Sequence, residues 1–358
     1  MPALRIYAGP RALQHLHAHG LRPQDVGAIP AAAGGPKGLT LLALDRFLFG
    51  HWLRDSGHPV DLIGASIGAW RMATACLPHA VAAFERLEHD YIHQHYELPP
   101  GQKRPTPDQV SETFGRNLRA FYGERVPDVL NHPRWRLHIV TSRGRRLLAH
   151  EGRWRTPLGY LAAFAANALH RPSLGAWLER VVFSRDGAPL PFAAHDLRTR
   201  QVPLTSANFH DALQASCSIP FMLRPVHPIA GAPAGTYWDG GITDYHLHLH
   251  YRPPVQSPIV LYPHFQKSVV PGWLDKAWKH RHRSTPALDA MVVLAPDPDW
   301  VRRLPNGKLP DRSDFTRYGQ DLEARVKAWS AATSASRQLA DEFEQWLANP
   351  DLSRVEPL

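Results

Sequence analysis

The stretch "PVDLIGASIGAW", residues 59–70, sets an apolar run against a serine that stands between two glycines. "VDLIGAS" (60–66) reads as a buried strand, and "IGAWRMATACL" after Ser66 can open a helix directly. In the order strand, G-x-S-x-G, helix, the turn is sharp and pushes the serine Oγ outward. Gly64 and Gly68 keep the elbow slim on both sides, and the helix N-terminus favours negative charge beside the serine. Ser66 is therefore a candidate nucleophile; a polar residue at a tight structural turn is the competing reading.

Working outward, short apolar runs recur at 26–34, 136–142, 180–185, 235–240, 258–263 and 288–295. Between the first run and Ser66 lies "KGLTLLALDRFLFGHWLRDSG" (37–57), with Leu and Phe at the three- and four-residue spacing of a buried amphipathic helix. Strand, helix, strand predicts an α/β fold with a mainly parallel central sheet flanked by helices. We read residues 1–358 as a single domain, with the motif-bearing core over about 26–300. A Pro-rich connection covers 98–108, and a basic, aromatic connection covers 264–286. The segment 311–349 carries Phe315, Tyr318, Leu322, Val326, Trp329, Leu339, Phe343 and Trp346 close to one stripe. It predicts a long C-terminal helix packed on the sheet, with a membrane-contacting or lid helix as the alternative.

The bulk properties narrow the classes. The 358 residues are 44% hydrophobic and 20% charged, which excludes a disordered chain. No apolar run is long enough for a membrane span, and the first residues carry no leader-like apolar core, so a cytoplasmic location is expected. The two cysteines, Cys76 and Cys217, fit a reducing compartment. A formal charge of +9 favours anionic partners, so peripheral contact with an anionic membrane is one expectation. The clusters "SRGRR" (142–146) and "KHRHR" (279–283) accompany no nucleic-acid module, and no nucleic-acid role is expected.

Two further motifs bear on Ser66. "AAAGGPKGL" (31–39) places consecutive glycines between a strand and a helix, where backbone N–H groups can point at an oxyanion. Lys37 is followed by Gly38 rather than Ser or Thr, so a Walker-type phosphate loop is excluded. "YWDGGITDY" (237–245) follows; alone its D-G-G is a turn, but after the loop and the elbow Asp239 becomes a candidate general base for Ser66.

Together these elements resemble the patatin-like acyl hydrolases, a phospholipase family with G-G-G-x-[KR]-G, G-x-S-x-G and D-G-[GA] in that order. "ALQASCSIPFMLRPV" (212–226) is similar to that family's small-residue segment before the D-G-G strand. The resemblance covers about residues 26–245. It implies a patatin-like three-layer sandwich, a Ser66–Asp239 dyad, and an oxyanion hole from Ala33, Gly34, Gly35, Lys37 and Gly38. It implies a lipid acyl hydrolase or carboxylesterase working through an acyl-serine, with a lipid or other acyl-ester substrate and no metal or organic cofactor. Two positions depart from the pattern. Ala33 replaces the first glycine and would be strained at φ > 0, and Pro36 has no N–H to offer.

Other readings stay open. His246, His248 and His250 in "YHLHLHY" would share one face of a strand, a spacing that suits Zn(II), or one of them could be the base of a triad. A weakened scaffold that binds a lipid or a partner, and an acyltransferase, are the alternatives to hydrolysis.

Overall fold

The computed structural model describes residues 2–102 and 104–358; Met1, and Lys103 of the Pro-rich connection, lie outside them. The strands are β1 (Leu4–Ala8), β2 (Val26–Ala31), β3 (Val60–Ala65), β4 (Trp135–Gly144), β5 (Leu178–Arg185) and β6 (Phe192–Ala193). They continue as β7 (Thr199–Leu204), β8 (Tyr237–Asp239), β9 (His250–Tyr251), β10 (Ile259–Pro263), β11 (Met291–Pro296) and β12 (Val355–Pro357). Ten of them form one sheet in the order β12-β1-β11-β10-β2-β3-β4-β5-β7, with β8 paired to β4; β6 and β9 form a separate ribbon. The centre, from β11 through β10, β2 and β3 to β4, is parallel. Strands β2, β3, β10 and β11 are buried at every position, which is why they read as continuous apolar runs rather than alternating ones.

The helices are α1 (Pro10–His19), α2 (Leu42–Phe47), α3 (Ile67–Ala75), α4 (Ala80–Ile92), α5 (Pro107–Tyr122) and α6 (Val126–Leu130). After them come α7 (Arg155–Leu169), α8 (Phe209–Cys217), α9 (Pro298–Val301), α10 (Ser313–Tyr318), α11 (Leu322–Ala335) and α12 (Arg337–Ala348). They flank the sheet in a three-layer arrangement.

Two expectations need correcting. The C-terminal stripe is not one long helix: Gly319, at φ 54°, ends α10, and a break at Ser336 separates α11 from α12. Its apolar residues still serve the core, since Trp329, Leu339, Phe343 and Trp346 are buried. The segment read as a single helix over 37–57 is instead a 3₁₀ stretch (Gly35–Leu41), then α2, then a π turn (Leu48–Trp52). Gly38 packs closely at its start, where a Cβ would stand 2.9 Å from Ile67 Cγ1.

One strand sets the distance between the two halves of the site. β3 runs along β4 and ends with Ala65 opposite Val140. β8 runs the other way along β4 and ends with Asp239 opposite Thr141, the next position. Because β5 pairs with β4 through His138–Gly144, β3 and β8 share the remaining edge and meet end to end. The residue after Ala65 is Ser66. Chain positions 173 apart are thus made neighbours by register alone.

Candidate active site

At the end of β3 the chain turns so abruptly that Ser66 adopts φ 58°, ψ −130° before α3 begins. A non-glycine residue in the left-handed region is strained, and such strain persists only where the surroundings over-determine it. Here they do. A Cβ on Gly64 would lie 2.3 Å from Ala69 Cα, and one on Gly68 would lie 1.9 Å from Ala31 O. Both glycines are required by backbone packing alone, with no appeal to chemistry.

Ser66 Oγ donates to Asp239 Oδ2 at 2.7 Å, and both residues are buried. The other carboxylate oxygen, Oδ1, accepts the Gly241 N–H at 2.7 Å, so Asp239 is fixed by its own D-G-G turn. That turn tolerates no bulk: a Cβ on Gly240 would stand 2.1 Å from Val140 O. Burial pushes the Asp239 carboxyl above its ordinary value, against the opposing pull of Arg312 and of the Ser66 and Gly241 hydrogen bonds.

The segment 212–226 ties both members in place. Ser216 Oγ, at the end of α8, accepts the Ser66 N–H at 2.9 Å and donates to Val140 O at 2.7 Å. Two residues on, Ser218 O accepts the Asp239 N–H at 2.9 Å. Sequence reasoning placed this segment without seeing its function, since a small-residue run does not say whose amide it holds. Replacing Ser216 by Ala is expected to leave a buried N–H unpaired, costing about 1–3 kcal/mol. Displacing the elbow should also lower turnover by up to about 10²-fold with KM little changed. Urea unfolding and steady-state kinetics on a soluble ester measure the two effects.

The glycine loop is only partly free for an oxyanion. The Ala33 N–H already donates to Tyr245 O at 2.9 Å, so Ala33 is not a spare donor. Its side chain is not strained, because Ala33 is not among the residues at positive φ; the conformation that needs glycine is at Gly35, φ 58°. Gly34 meets a different demand, since a Cβ there would stand 2.7 Å from the Phe265 ring. Among the described residues, the Gly34 and Gly35 amides find no protein acceptor, and neither does that of Ile67 at the first position of α3. Ile67 was missed in the sequence although it directly follows the serine, a position that supplies an oxyanion donor in other elbow enzymes. Lys37 directs its ammonium over the Phe265 ring, 5.0 Å from the centroid, and burial lowers its pKa. Gly38 packs on Ile67 and brings this loop against the start of α3.

The three histidines do not line one strand face, because only His250 lies in a strand. His246 Nδ1 accepts the Val270 N–H at 3.0 Å, His248 Nδ1 faces the Val269 carbonyl, and His248 Nε2 meets Thr285 Oγ1. Among the described residues no group of His, Cys, Asp and Glu is arranged to hold a metal ion. Asp239 meets Ser66 directly, with no imidazole between them.

Beside Asp239 lies a cavity of about 20 Å³, bordered by Ala33, Ile219, Pro220, Asp239, Trp273 and Arg312. That is room for about one water molecule. A larger cavity of about 750 Å³, lined by Trp70, Arg86, Gln94 and Phe114, contains neither Ser66 nor Asp239. Arg312 is the second residue that the sequence did not reveal, since it arrives from the C-terminal segment. Ionised Asp239 is the form that can accept a proton, so activity should rise with pH through its raised pKa. Arg312→Gln removes a cation that opposes this rise and should move the acidic limb of kcat/KM to still higher pH. A pH–rate profile of the two proteins checks the direction.

No protein-family profile matches this chain, and no curated protein is similar to it in sequence. Among solved structures, the chain is similar to VipD from Legionella pneumophila, with a TM-score of 0.36 and 13% identity over 95% of this chain and 70% of that one. No helix among the described residues is long and apolar enough to cross a membrane.

Proposed function

We propose that this chain is a serine acyl hydrolase of the patatin-like type, acting on lipid or other carboxylic esters through an acyl-serine. The observation that carries the reading is the 2.7 Å contact from Ser66 Oγ to Asp239 Oδ2 on a strained strand-to-helix elbow. A purely structural turn serine needs neither a buried carboxylate as partner nor a φ that costs energy to maintain.

In this scheme Asp239 Oδ2 takes the hydroxyl proton as Ser66 Oγ attacks the ester carbonyl carbon. The carbonyl oxygen becomes the oxyanion and is held by the free amides of Gly34, Gly35 and Ile67. Collapse of the tetrahedral species breaks the ester C–O bond, and the leaving alkoxide recovers the proton from Asp239. A water molecule then gives its proton to Asp239 and adds to the acyl-serine; the acid departs and Ser66 regains its proton. Burial serves this cycle by raising the carboxyl toward a value at which it can both take and return a proton.

Brief incubation with a p-nitrophenyl ester, acid quench, and intact-mass and peptide-mass analysis test the proposal. It is supported by one added acyl group on the peptide that contains Ser66 and by p-nitrophenol released in a burst. An unmodified protein with no release above buffer would count against it.

A further inference from the structure

Helix α7 has two apolar faces but only one place to bury them. Its inner face, with Tyr160 and Ala163, packs on a small cluster that includes Leu148, Leu174 and Trp238. Asn167 on the same face is fixed by Asp275 at 2.8 Å. Its outer face continues the stripe Trp154, Leu158, Leu161, Ala165, Leu169 at steps of three and four residues, and every one of these is exposed. Trp154 is 71% exposed, Leu161 64% and Leu169 88%. Exposed large apolar side chains gathered on one face are characteristic of interaction surfaces.

The surface continues to the rim of the active site. Phe221 and Met222, more than half exposed, follow directly on Ile219 and Pro220, which border the cavity beside Asp239. The Phe221 ring stands 5.9 Å from that of Tyr160 in α7, and Tyr160 stands 6.0 Å from Trp238, the residue before Asp239. On the other side Phe164 stacks on Trp278 at 6.1 Å, joining the segment 273–283 to the same face. Leu147 joins it through the turn that packs on Gly159.

Charge decides the occupant. Arg146, Arg153, Arg155, Lys279 and Arg283 are exposed around this face, and none has a carboxylate within 4.0 Å among the described residues. The nearby carboxylate Glu151 is paired with Arg224. An apolar helical face edged by unpaired cations suits the boundary between head groups and acyl chains in an anionic bilayer.

We propose that the outer face of α7, with Phe221 and Met222, is a docking surface for an anionic phospholipid bilayer. Docked there, the protein holds the rim of the Ser66 site against the membrane. The benefit to catalysis rests on the ester-hydrolase reading above, whereas the binding itself does not.

The test is co-sedimentation of the full chain with vesicles of phosphatidylglycerol and, separately, of phosphatidylcholine. Binding should favour phosphatidylglycerol and weaken as salt is raised. Leu158→Asp and Leu161→Asp should each reduce partition by about tenfold or more. Both positions are exposed, so an unchanged melting temperature shows that the variants are folded. Absence of binding to either vesicle, or equal binding by the variants, would overturn the proposal. So would a dimer in sedimentation velocity that Leu161→Asp dissociates, since the face would then belong to a second copy. Ser66→Ala separates the two readings, because it should bind vesicles as the wild type does. Vesicle binding with no hydrolysis of any ester refutes the chemistry alone, and hydrolysis of a soluble ester without vesicle binding refutes the surface alone.

Discussion

Asp239→Asn is expected to lower kcat on a soluble ester by about 10²–10⁴-fold, the range for loss of a positioned general base, with KM little changed. The asparagine retains the shape of the side chain and can keep an oxygen toward the Gly241 N–H, so the turn survives. Its amide nitrogen then faces Ser66 Oγ, where it can donate but cannot take a proton. The same substitution should raise the melting temperature at neutral pH. Burial raises the Asp239 pKa above the ordinary 3.8, so the group favours folding most below its unfolded pKa. That contribution is lost as the pH climbs through the folded one. A neutral asparagine escapes the loss, and its advantage should shrink in acid. Kinetics and thermal melts at two pH values check both halves. A variant that is slower and also less stable at neutral pH would assign Asp239 a structural role.

Arg71→Met is expected to cost about 3–5 kcal/mol of stability. Arg71 in α3 reaches Asp45 in α2 with Nε to Oδ2 at 2.7 Å and Nη2 to Oδ1 at 2.8 Å, and both side chains are fully buried. Removing the guanidinium strands a carboxylate in the core beside the helix that begins at Ser66. Urea unfolding measures the loss. The double variant Arg71→Met with Asp45→Leu should recover most of it, because an apolar pair of similar volume is close to neutral in such a position. Equal instability in the double variant would mean that packing, not the stranded charge, is responsible.

Much of this architecture could be read from the chain, for physical reasons. Strands buried on both faces of a parallel sheet announce themselves as uninterrupted apolar runs, and β2, β3, β10 and β11 were all visible in that way. Edge strands were not. The margins β7 and β12, and β1 just inside β12, were missed because short or part-exposed strands lack that signature. The elbow was legible because its glycines answer to backbone contacts that leave no choice of residue. The Ser66–Asp239 contact was legible only as two motifs, since nothing local to Ser66 or Asp239 says that β4 brings their strands together end to end.

What stayed hidden depended on partners far away in the chain. Ala33 would have been strained at positive φ, yet the left-handed residue is Gly35, and the Ala33 amide is taken by Tyr245 O. Ser216 was legible only as part of a small-residue segment, and it holds the Ser66 amide. A membrane-contacting helix was the alternative reading of the C-terminal segment, whose stripe instead serves the core as expected. The exposed apolar face of α7 went unread, because its apolar residues occupy both faces and periodicity could not single out the outer one.

The most direct measurement is labelling of the purified chain with a fluorophosphonate, read by intact mass and peptide mapping, with Ser66→Ala and Asp239→Asn alongside. The account predicts one phosphonyl group per chain on Ser66 of the wild type, none in Ser66→Ala, and strongly slowed labelling in Asp239→Asn. A folded wild-type protein that remains unlabelled, or labels equally fast without Asp239, would contradict it.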